Sequence, residues 1–237
     1  MTKGISRDLH GKALDIFRGL ARSYDRVVDY ATLYQDRYWK NWVAGNLGIG
    51  HRSLALDIGC GTLLLEERIG ERGWTFVGLD LTEEMVKLGG AKDLQNVDAL
   101  VTADAERLPF SDGAFDAVVS CYVPKYVDVT RLAAELGRVC KPGATAVLYD
   151  FALPRGRFSP FLRLYILGGL RVIGYILRIG RRVEATTFTN LPEIINHTDW
   201  DRRISGAMDA NGFDAAGVRS MTCGVVYGYF GRKRPGT

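Results

Sequence analysis

The chain has 237 residues, enough for one large α/β domain with a substantial buried core but too few for two complete independent domains. Apolar residues make up 47% of the sequence and charged residues 24%, which argues against pervasive disorder and against a polytopic membrane protein. The net charge of +4 is only mildly basic and argues against a nucleic-acid-binding protein.

The four cysteines are widely separated and form no Cys-x-x-Cys pair. This spacing argues against a zinc site and a short disulfide framework, and it predicts reduced thiols in a cytosolic protein. The first twelve residues contain charged side chains and no apolar run, so a secretory signal is not expected. We therefore expect a cytoplasmic protein.

Apolar residues at helical spacing predict two or three helices between Lys12 and Leu47. After Gly48, short apolar runs alternate with amphipathic stretches. The predicted strands and helices of this part are Leu54–Ile58, Leu63–Ile69, Thr75–Leu79, Glu83–Leu88, Ala99–Thr102, Phe115–Cys121, Thr130–Val139 and Ala144–Asp150. Strands that alternate with helices predict right-handed βαβ units and a doubly wound parallel sheet, covered by helices on both faces.

The last third of the chain departs from this alternation. Residues 155–196 are predicted to be a helical insertion, and Thr198-Asp199 to cap a helix that runs to about Ala210. Two closing strands are predicted at Ala216–Met221 and Gly224–Phe230. We therefore expect one domain made of N-terminal helices (1–50), a core (51–152), a helical insertion (153–197) and a final helix with strands (198–232).

A glycine turn, Gly59-Cys60-Gly61, connects the apolar segment Leu54–Ile58 to the next predicted helix. Glycines let the backbone turn sharply and let a ligand lie against it without side chains in the way. Asp80 ends the next predicted strand, about 20 residues downstream, where a carboxylate accepts hydrogen bonds from both hydroxyls of a nucleotide ribose. Together, the two features predict a nucleoside-binding site.

The residues around the loop narrow the choice of nucleotide. A nicotinamide dinucleotide would favour a third glycine at position 64, where this chain has Leu64. Asp57 beside the loop would repel a phosphate but attract a cofactor that carries an α-ammonium group and a sulfonium. This charge argument disfavours a dehydrogenase and indicates S-adenosylmethionine (SAM).

Further motifs follow in chain order. The segments are Asp57–Gly61, Gly78-Leu79-Asp80, Thr102-Ala103-Asp104-Ala105, Leu108-Pro109-Phe110, Phe115–Val119 and Leu136–Gly143. Together they resemble the class I SAM-dependent methyltransferases. The resemblance implies a mostly parallel, seven-stranded Rossmann-like sheet, SAM as cofactor, S-adenosylhomocysteine as its product, and no metal. Leu63 departs from the family, since many members have another glycine there, and we expect it to alter packing rather than abolish binding.

The resemblance also implies which residues contact SAM. The acidic residue of the third motif, Asp104, usually holds the adenine amino group, and Tyr24 would close over the cofactor from the N-terminal helices. The expected cofactor-binding residues are Tyr24, Asp57, Gly59, Cys60, Gly61, Asp80, Leu81, Met85, Asp104, Ala105 and Ser120.

Five further segments concern the acceptor. They are Tyr24-Asp25, Trp39-Lys40, Asp80–Met85, Leu191–Ile195 and the helix ending in Asn211-Gly212-Phe213. They resemble the ubiquinone/menaquinone C-methyltransferases, which implies C-methylation of a quinol or related aromatic ring that can carry a prenyl tail. This family usually has an Arg-Asn pair after the fourth strand, whereas this chain has Ser120–Tyr126. Another aromatic, polyketide-like or lipid-like acceptor therefore stays open.

Ring C-methylation benefits from a base or a cation that favours the phenolate of the acceptor. Open α/β sheets bind ligands at the carboxyl ends of their strands, which makes Tyr122, Lys125, Tyr126 and Asp150 the candidate catalytic residues. His197, beside the final helix, is another candidate base, although a lone histidine is more often structural. Methyl transfer also depends on in-line positioning in a dry pocket and needs no metal.

The predicted insertion contains seven arginines and no acidic residue between Arg155 and Arg182. At about 100° per residue, most of these arginines fall on one side of a helix and most aliphatic side chains on the other. Arg171 and Arg178, inside the apolar stretch, argue against a transmembrane helix. Two interpretations stay open: a lid over the substrate pocket, and a lid that also rests on an anionic membrane surface.

Three functional hypotheses can be ordered from these observations. The intact set of motif residues favours an enzyme that acts on a small molecule over a SAM-binding module that has lost catalysis. A nucleic-acid methyltransferase is third, since only the arginines support it. The sequence identifies neither the methylated atom nor the oligomeric state.

Overall fold

The helices and strands alternate along most of the chain. The computed structural model describes residues 11, 14, 17–70, 72–155, 159–161, 163–164, 168, 194–195 and 199–236. After a short 3-10 turn at Ala21–Ser23, the helices are α1 (Tyr24–Ala31), α2 (Asp36–Leu47), α3 (Leu64–Ile69), α4 (Glu83–Gly90), α5 (Val129–Val139) and α6 (Trp200–Ala210). The strands are β1 (Ser53–Ile58), β2 (Trp74–Asp80), β3 (Val97–Thr102), β4 (Phe115–Cys121), β5 (Cys140–Phe151), β6 (Phe213–Met221) and β7 (Val226–Lys233).

The seven strands form one sheet in the order β3-β2-β1-β4-β5-β7-β6. Strands β1 to β5 pair in parallel, and β7 runs antiparallel to both of its neighbours. The chain moves outward from β1 to β3 and then returns to place β4 on the other side of β1. Ligands of open α/β sheets bind in the crevice that such a reversal opens. The predicted doubly wound, mostly parallel, seven-stranded sheet is confirmed.

Both faces of the central strands β1, β4 and β5 are largely buried. Leu56 and Ile58 of β1 belong to the apolar cluster that also contains residues of α5 and α6, whereas Ala55 belongs to a second cluster with Trp39 and Val43 of α2. Successive residues of a strand point to opposite faces, so β1 is apolar at nearly every position. The same alternation places Asp57 on the face of the sheet that α2 covers.

The closing strands differ from their predicted bounds. β6 starts at Phe213 rather than Ala216, and β7 extends to Lys233 rather than Phe230, because the two strands pair along almost their whole length. β6 is the edge strand and most of its side chains are exposed, so its sequence lacks an apolar alternation. Asp199 occupies the N-cap position of α6 as predicted, but its side chain makes no capping hydrogen bond.

The predicted insertion (153–197) lies largely outside the described residues, and so do His197, Arg171, Arg178, Arg181 and Arg182. Among the residues that are described, no helix is both long and apolar enough to cross a membrane.

Candidate functional site

A cavity lies at the carboxyl ends of β1, β2 and β4. It contains about 660 Å³ of empty space, counting its open mouth. The sequence-predicted site residues that line it are Tyr24, Gly59, Gly61, Asp80, Leu81, Met85, Asp104, Ala105, Tyr122 and Tyr126. The reversal of strand order thus brings together residues that are up to about a hundred positions apart in the chain.

The glycine loop forms the floor of the cavity. Gly59 and Gly61 have φ angles of +75° and +55°, and a Cβ at Gly59 would lie 2.1 Å from Cγ2 of Val123. The N–H groups of Gly59 and Cys60 both donate to the Leu79 carbonyl of β2, at 2.7 and 3.0 Å. The loop therefore needs glycine at position 59 both for its backbone conformation and for its close approach to the segment after β4.

Leu63, where the family often has glycine, keeps the left-handed conformation at the start of α3 with a φ of +65°. Its side chain lies away from the cavity lining and packs near Gly89 of α4, where a Cβ would be 3.0 Å from the Leu63 Cγ. A non-glycine residue in this region costs conformational energy that the surrounding packing must supply.

Asp80 is the last residue of β2 and lies on the cofactor side of the cavity. Its Oδ2 accepts a hydrogen bond from the Gly61 N–H at 2.9 Å, and its Oδ1 accepts one from the Thr82 N–H at 2.8 Å. Burial raises the pKa of Asp80, and these backbone donors oppose the rise. Each carboxylate oxygen can accept a second hydrogen bond, so Asp80 retains acceptor capacity for two ribose hydroxyls.

An apolar slot of the cavity adjoins Asp80. Its walls include Leu81, Met85 and Ala105, and Asp104 lies at its edge just after β3. The Asp104 Oδ1 accepts a hydrogen bond from the Glu106 N–H at 2.8 Å, which orients the carboxylate. Apolar walls with one carboxylate at the edge suit an adenine ring, which is flat and carries a donating amino group.

Helix α1 covers the glycine loop. A Cβ at Gly61 would lie 3.6 Å from Cε1 of Tyr24, so the tyrosine ring rests against the loop. Asp25 accepts hydrogen bonds from the Thr62 hydroxyl and the Lys92 ammonium group, which fasten α1 to the loop and to the segment after α4. Burial raises the pKa of Tyr24 well above its usual value, so its phenol stays protonated.

Three of the predicted cofactor-binding residues do not line the cavity. Asp57 is buried behind the loop beside Glu66 of α3, and burial is the main cause that raises its pKa. Cys60 packs against β2 near Gly78, and Ser120 donates a hydrogen bond to the Ile58 carbonyl at 2.9 Å. Their direct contact with SAM stays a prediction.

The acceptor side of the cavity contains Tyr122 and Tyr126, which follow β4. Tyr122 has a φ of +68°, an unusual value for a bulky residue, and its hydroxyl donates to Oδ1 of Asp36 at 2.7 Å. Tyr149 of β5 donates to the same oxygen at 3.1 Å. Burial raises the pKa of both Tyr122 and Tyr126, so both phenols stay protonated at neutral pH.

Tyr122 and Tyr126 form one wall of the cavity, the tyrosine wall. Lys125 and Asp150 lie behind this wall and do not line the cavity. Their Nζ and Oδ1 atoms are 2.8 Å apart, both side chains are almost fully buried, and Lys125 also donates to the Tyr122 carbonyl at 2.6 Å. Burial lowers the pKa of Lys125 and raises that of Asp150, while each partner's charge opposes the effect on the other. The pair is electrically neutral and supports the tyrosine wall, and a direct contact with the acceptor stays a prediction.

Sequence reasoning missed part of the lining. The additional residues are Leu14, Phe17, Ile58, Leu79, Thr82, Ala103, Cys121, Val123 and Val127. Most of them flank the motif residues, and their position next to a motif was a usable signal. Leu14 and Phe17 come from the N-terminal helical region, where helical spacing alone does not say which face meets the sheet.

The arrangement fits SAM on structural grounds. The loop carries no side chain at Gly59 and Gly61, Asp80 offers acceptor capacity beside it, and an apolar slot with an acidic edge lies beyond. Among the described residues, no group of three or more histidine, cysteine or acidic side chains is arranged to hold a metal ion.

Comparisons with known proteins agree with this geometry. A family described as a methyltransferase domain matches residues 56–148. The demethylmenaquinone methyltransferase of Mycolicibacterium paratuberculosis is 31% identical over 217 residues, with 89% of each chain covered. The protein of the same name from Staphylococcus epidermidis is 29% identical over 233 residues, covering 92% of this chain and 91% of that one.

A solved structure supports the fold. A SAM-dependent methyltransferase from Aquifex aeolicus matches with a TM-score of 0.56 at 18% identity, covering 82% of this chain and 89% of that one. The chain therefore belongs to the class I SAM-dependent methyltransferases, and its sequence is similar to the ubiquinone/menaquinone C-methyltransferases.

Proposed function

We propose that this methyltransferase transfers the methyl group of SAM to a ring carbon of a quinol-type aromatic acceptor that carries a prenyl tail. The observation that carries the proposal is the match to proteins named demethylmenaquinone methyltransferase along nine-tenths of the chain. The departure after β4, where the Arg-Asn pair of the family is absent, keeps a related aromatic or polyketide-like ring as the alternative acceptor.

The shape of the acceptor side supports a flat aromatic substrate. Phe17 packs edge-on against both Tyr24 and Tyr126, with ring centroids 6.1 and 5.6 Å apart. These rings and Tyr122 surround the space next to the glycine loop. Aromatic side chains bind aromatic rings through offset or edge contacts, and they exclude water from the reacting atoms.

When bound, SAM supplies an electrophilic methyl group, and the protein must place the acceptor carbon in line behind it. The proton that the methyl group replaces on the ring carbon leaves to water. Tyr126 stays protonated at neutral pH, so it can donate a hydrogen bond to an acceptor oxygen but does not take up its proton, whereas the Tyr122 hydroxyl already donates to Asp36. We therefore assign Tyr126 to orientation of the ring hydroxyl. The neutral Lys125–Asp150 pair acts indirectly, since Lys125 donates to the Tyr122 carbonyl and lies 4.2 Å from the centroid of the Tyr126 ring.

We further propose that the enzyme works in the cytoplasm, in peripheral contact with an anionic membrane surface. The α1–α2 turn exposes Leu33 and Tyr34, with Arg37 stacked over the Tyr34 ring, and Tyr38 hydrogen-bonds to Arg219 of β6. This turn contacts the β6–β7 turn, which lies at the carboxyl end of β5, the same end as the cavity. Exposed apolar and cationic side chains near a cavity mouth suit the delivery of a prenylated acceptor from lipid.

Methyl transfer from CD3-labelled SAM to a panel of acceptors tests the proposed chemistry. The panel contains demethylmenaquinol, a ubiquinol precursor, the same rings without a tail, a polyketide phenol and a phospholipid. We expect a carbon-bound CD3 group, identified by mass and NMR, on a prenylated quinol. Label only on oxygen or nitrogen, or only on the polyketide or the lipid, would overturn the quinol assignment.

Vesicle co-sedimentation tests the membrane contact separately. We expect more binding to vesicles with anionic lipid than to neutral ones, and a loss of this difference in an Arg37→Ala/Arg219→Ala variant. Binding that is independent of anionic lipid would contradict the proposed contact.

A further inference from the structure

Two carboxyl groups meet behind the glycine loop. Asp57 is the second-to-last residue of β1, and Glu66 lies in the first turn of α3, so the two residues flank the loop. Their exposed fractions are 2% and 0%. If both were ionised, Oδ1 of Asp57 and both carboxylate oxygens of Glu66 would lack a donor among the described residues. A proton on one of them lets the two side chains hydrogen-bond to each other.

The surroundings favour such a shared proton. The other ionisable groups around the pair are Asp36 and Lys40 of α2, Cys60 of the loop, Asp80 of β2, Cys121 of β4 and Lys92 after α4. Lys40, the cation that lowers the pKa of both carboxyls, is already held by both oxygens of Asp36 at 2.6 Å. Burial and the adjacent carboxyl raise the pKa of Asp57 well above its usual range, and burial raises that of Glu66.

The loop between these two carboxyls has a strained backbone. Gly59, Gly61 and Leu63 all have positive φ angles, and Leu63 is not a glycine. A backbone in sparsely populated conformations persists only when surrounding contacts hold it in place. A hydrogen bond between the residues at the two ends of the loop provides such a contact, and an O–H···O⁻ bond is among the stronger kinds.

We propose that Glu66 is a positioning residue for the cofactor: it shares one proton with Asp57 and so clasps the two ends of the glycine loop in the conformation that receives SAM. Glu66 does not line the cavity, so it acts through the loop backbone. The clasp requires a single proton between two carboxyls. When rising pH removes that proton, two adjacent buried carboxylates repel each other, the loop loosens, and cofactor affinity falls.

Calorimetric binding of S-adenosylhomocysteine, which needs no acceptor, tests the clasp. At neutral pH we expect Glu66→Leu to weaken binding about tenfold or more, and Glu66→Gln to stay within about twofold because its amide can donate to Asp57. Glu67→Gln is the matched control, because Glu67 is the next residue of α3 but its side chain is 56% exposed.

The pH profile separates a clasp from a merely structural contact. As pH rises above neutral, wild-type affinity should fall, whereas Glu66→Gln should keep its affinity since its hydrogen bond needs no shared proton. Wild-type affinity in Glu66→Leu, or identical pH profiles for wild type and Glu66→Gln, would overturn the proposal. If Glu66→Leu fails to fold by circular dichroism, the comparison of these two profiles decides the question alone.

Discussion

The two sides of the cavity are formed by different kinds of chemical group. The cofactor side consists of the backbone of the glycine loop, as at Gly59, and of carboxylates at or just beyond the carboxyl ends of strands, Asp80 and Asp104. The acceptor side rests on buried charges that neutralise each other, chiefly Lys125 with Asp150. A substitution on the cofactor side should therefore change binding or local strain, whereas one on the acceptor side should first change stability.

The buried Lys125–Asp150 pair provides the largest expected effect. Lys125→Met leaves the Asp150 carboxylate without its counter-charge in a fully buried position, which should lower the free energy of unfolding by about 3–5 kcal/mol. Urea denaturation measures this change. The double variant Lys125→Met/Asp150→Asn removes both charges and should recover most of the loss. A single variant as stable as wild type would mean that the pair does not support the tyrosine wall.

Gly59→Ala tests whether the cofactor side depends on backbone conformation. A Cβ at this position meets Cγ2 of Val123 at 2.1 Å and adds strain at a positive φ, so we expect a loss of about 2–4 kcal/mol in unfolding free energy. Gly143→Ala is the matched control, since Gly143 also has a positive φ but a Cβ there would meet no heavy atom within 4 Å. If both variants lose the same free energy of unfolding, the close approach of Val123 is not the reason for glycine at position 59.

Asp80→Asn tests the electrostatic part of the cofactor side. The amide keeps one acceptor but loses the charge and half of the acceptor capacity. Binding of S-adenosylhomocysteine should therefore weaken by about 1.5–3 kcal/mol. The free energy of unfolding should fall less, by about 1 kcal/mol, because the amide nitrogen cannot accept the hydrogen bond of one of the two backbone N–H groups. Asp98→Asn on β3, where the side chain is exposed, provides the control. A fall in stability that matches the fall in affinity would instead assign Asp80 to the fold.

The cofactor side could be predicted from the sequence because its signals are local. The glycine loop and Asp80 each follow a short apolar run, and parallel strands bring their carboxyl ends to one edge of the sheet. The fold followed from the same alternation of strands and helices. The edge strand β6 was predicted too short because an exposed strand takes its length from pairing with β7 rather than from its own apolar pattern.

The acceptor side could not be predicted in the same way because its contacts are distant in sequence. Asp36 receives the hydroxyls of Tyr122 and Tyr149, which are 86 and 113 residues away. Neither pairing leaves a periodicity or a spacing in the chain. Lys125 was expected near the acceptor as a cation, and only the structure pairs it with Asp150 behind the wall.

The two tyrosines that donate to Asp36 give the smallest expected effect, and they test whether the acceptor side acts on catalysis as well as on stability. Tyr122→Phe and Tyr149→Phe each remove one hydroxyl donor from the same carboxylate, so each should cost about 1 kcal/mol in unfolding free energy. Only Tyr122 lines the cavity, so only Tyr122→Phe should also slow methyl transfer, by about tenfold or less, with unchanged binding of S-adenosylhomocysteine. Single-turnover rates with an acceptor that the panel identifies provide the measurement. If both variants slow the reaction equally, the cause is the loss of a hydrogen bond to Asp36 and not the position of Tyr122 in the cavity wall. That result would contradict the proposed contact of Tyr122 with the acceptor.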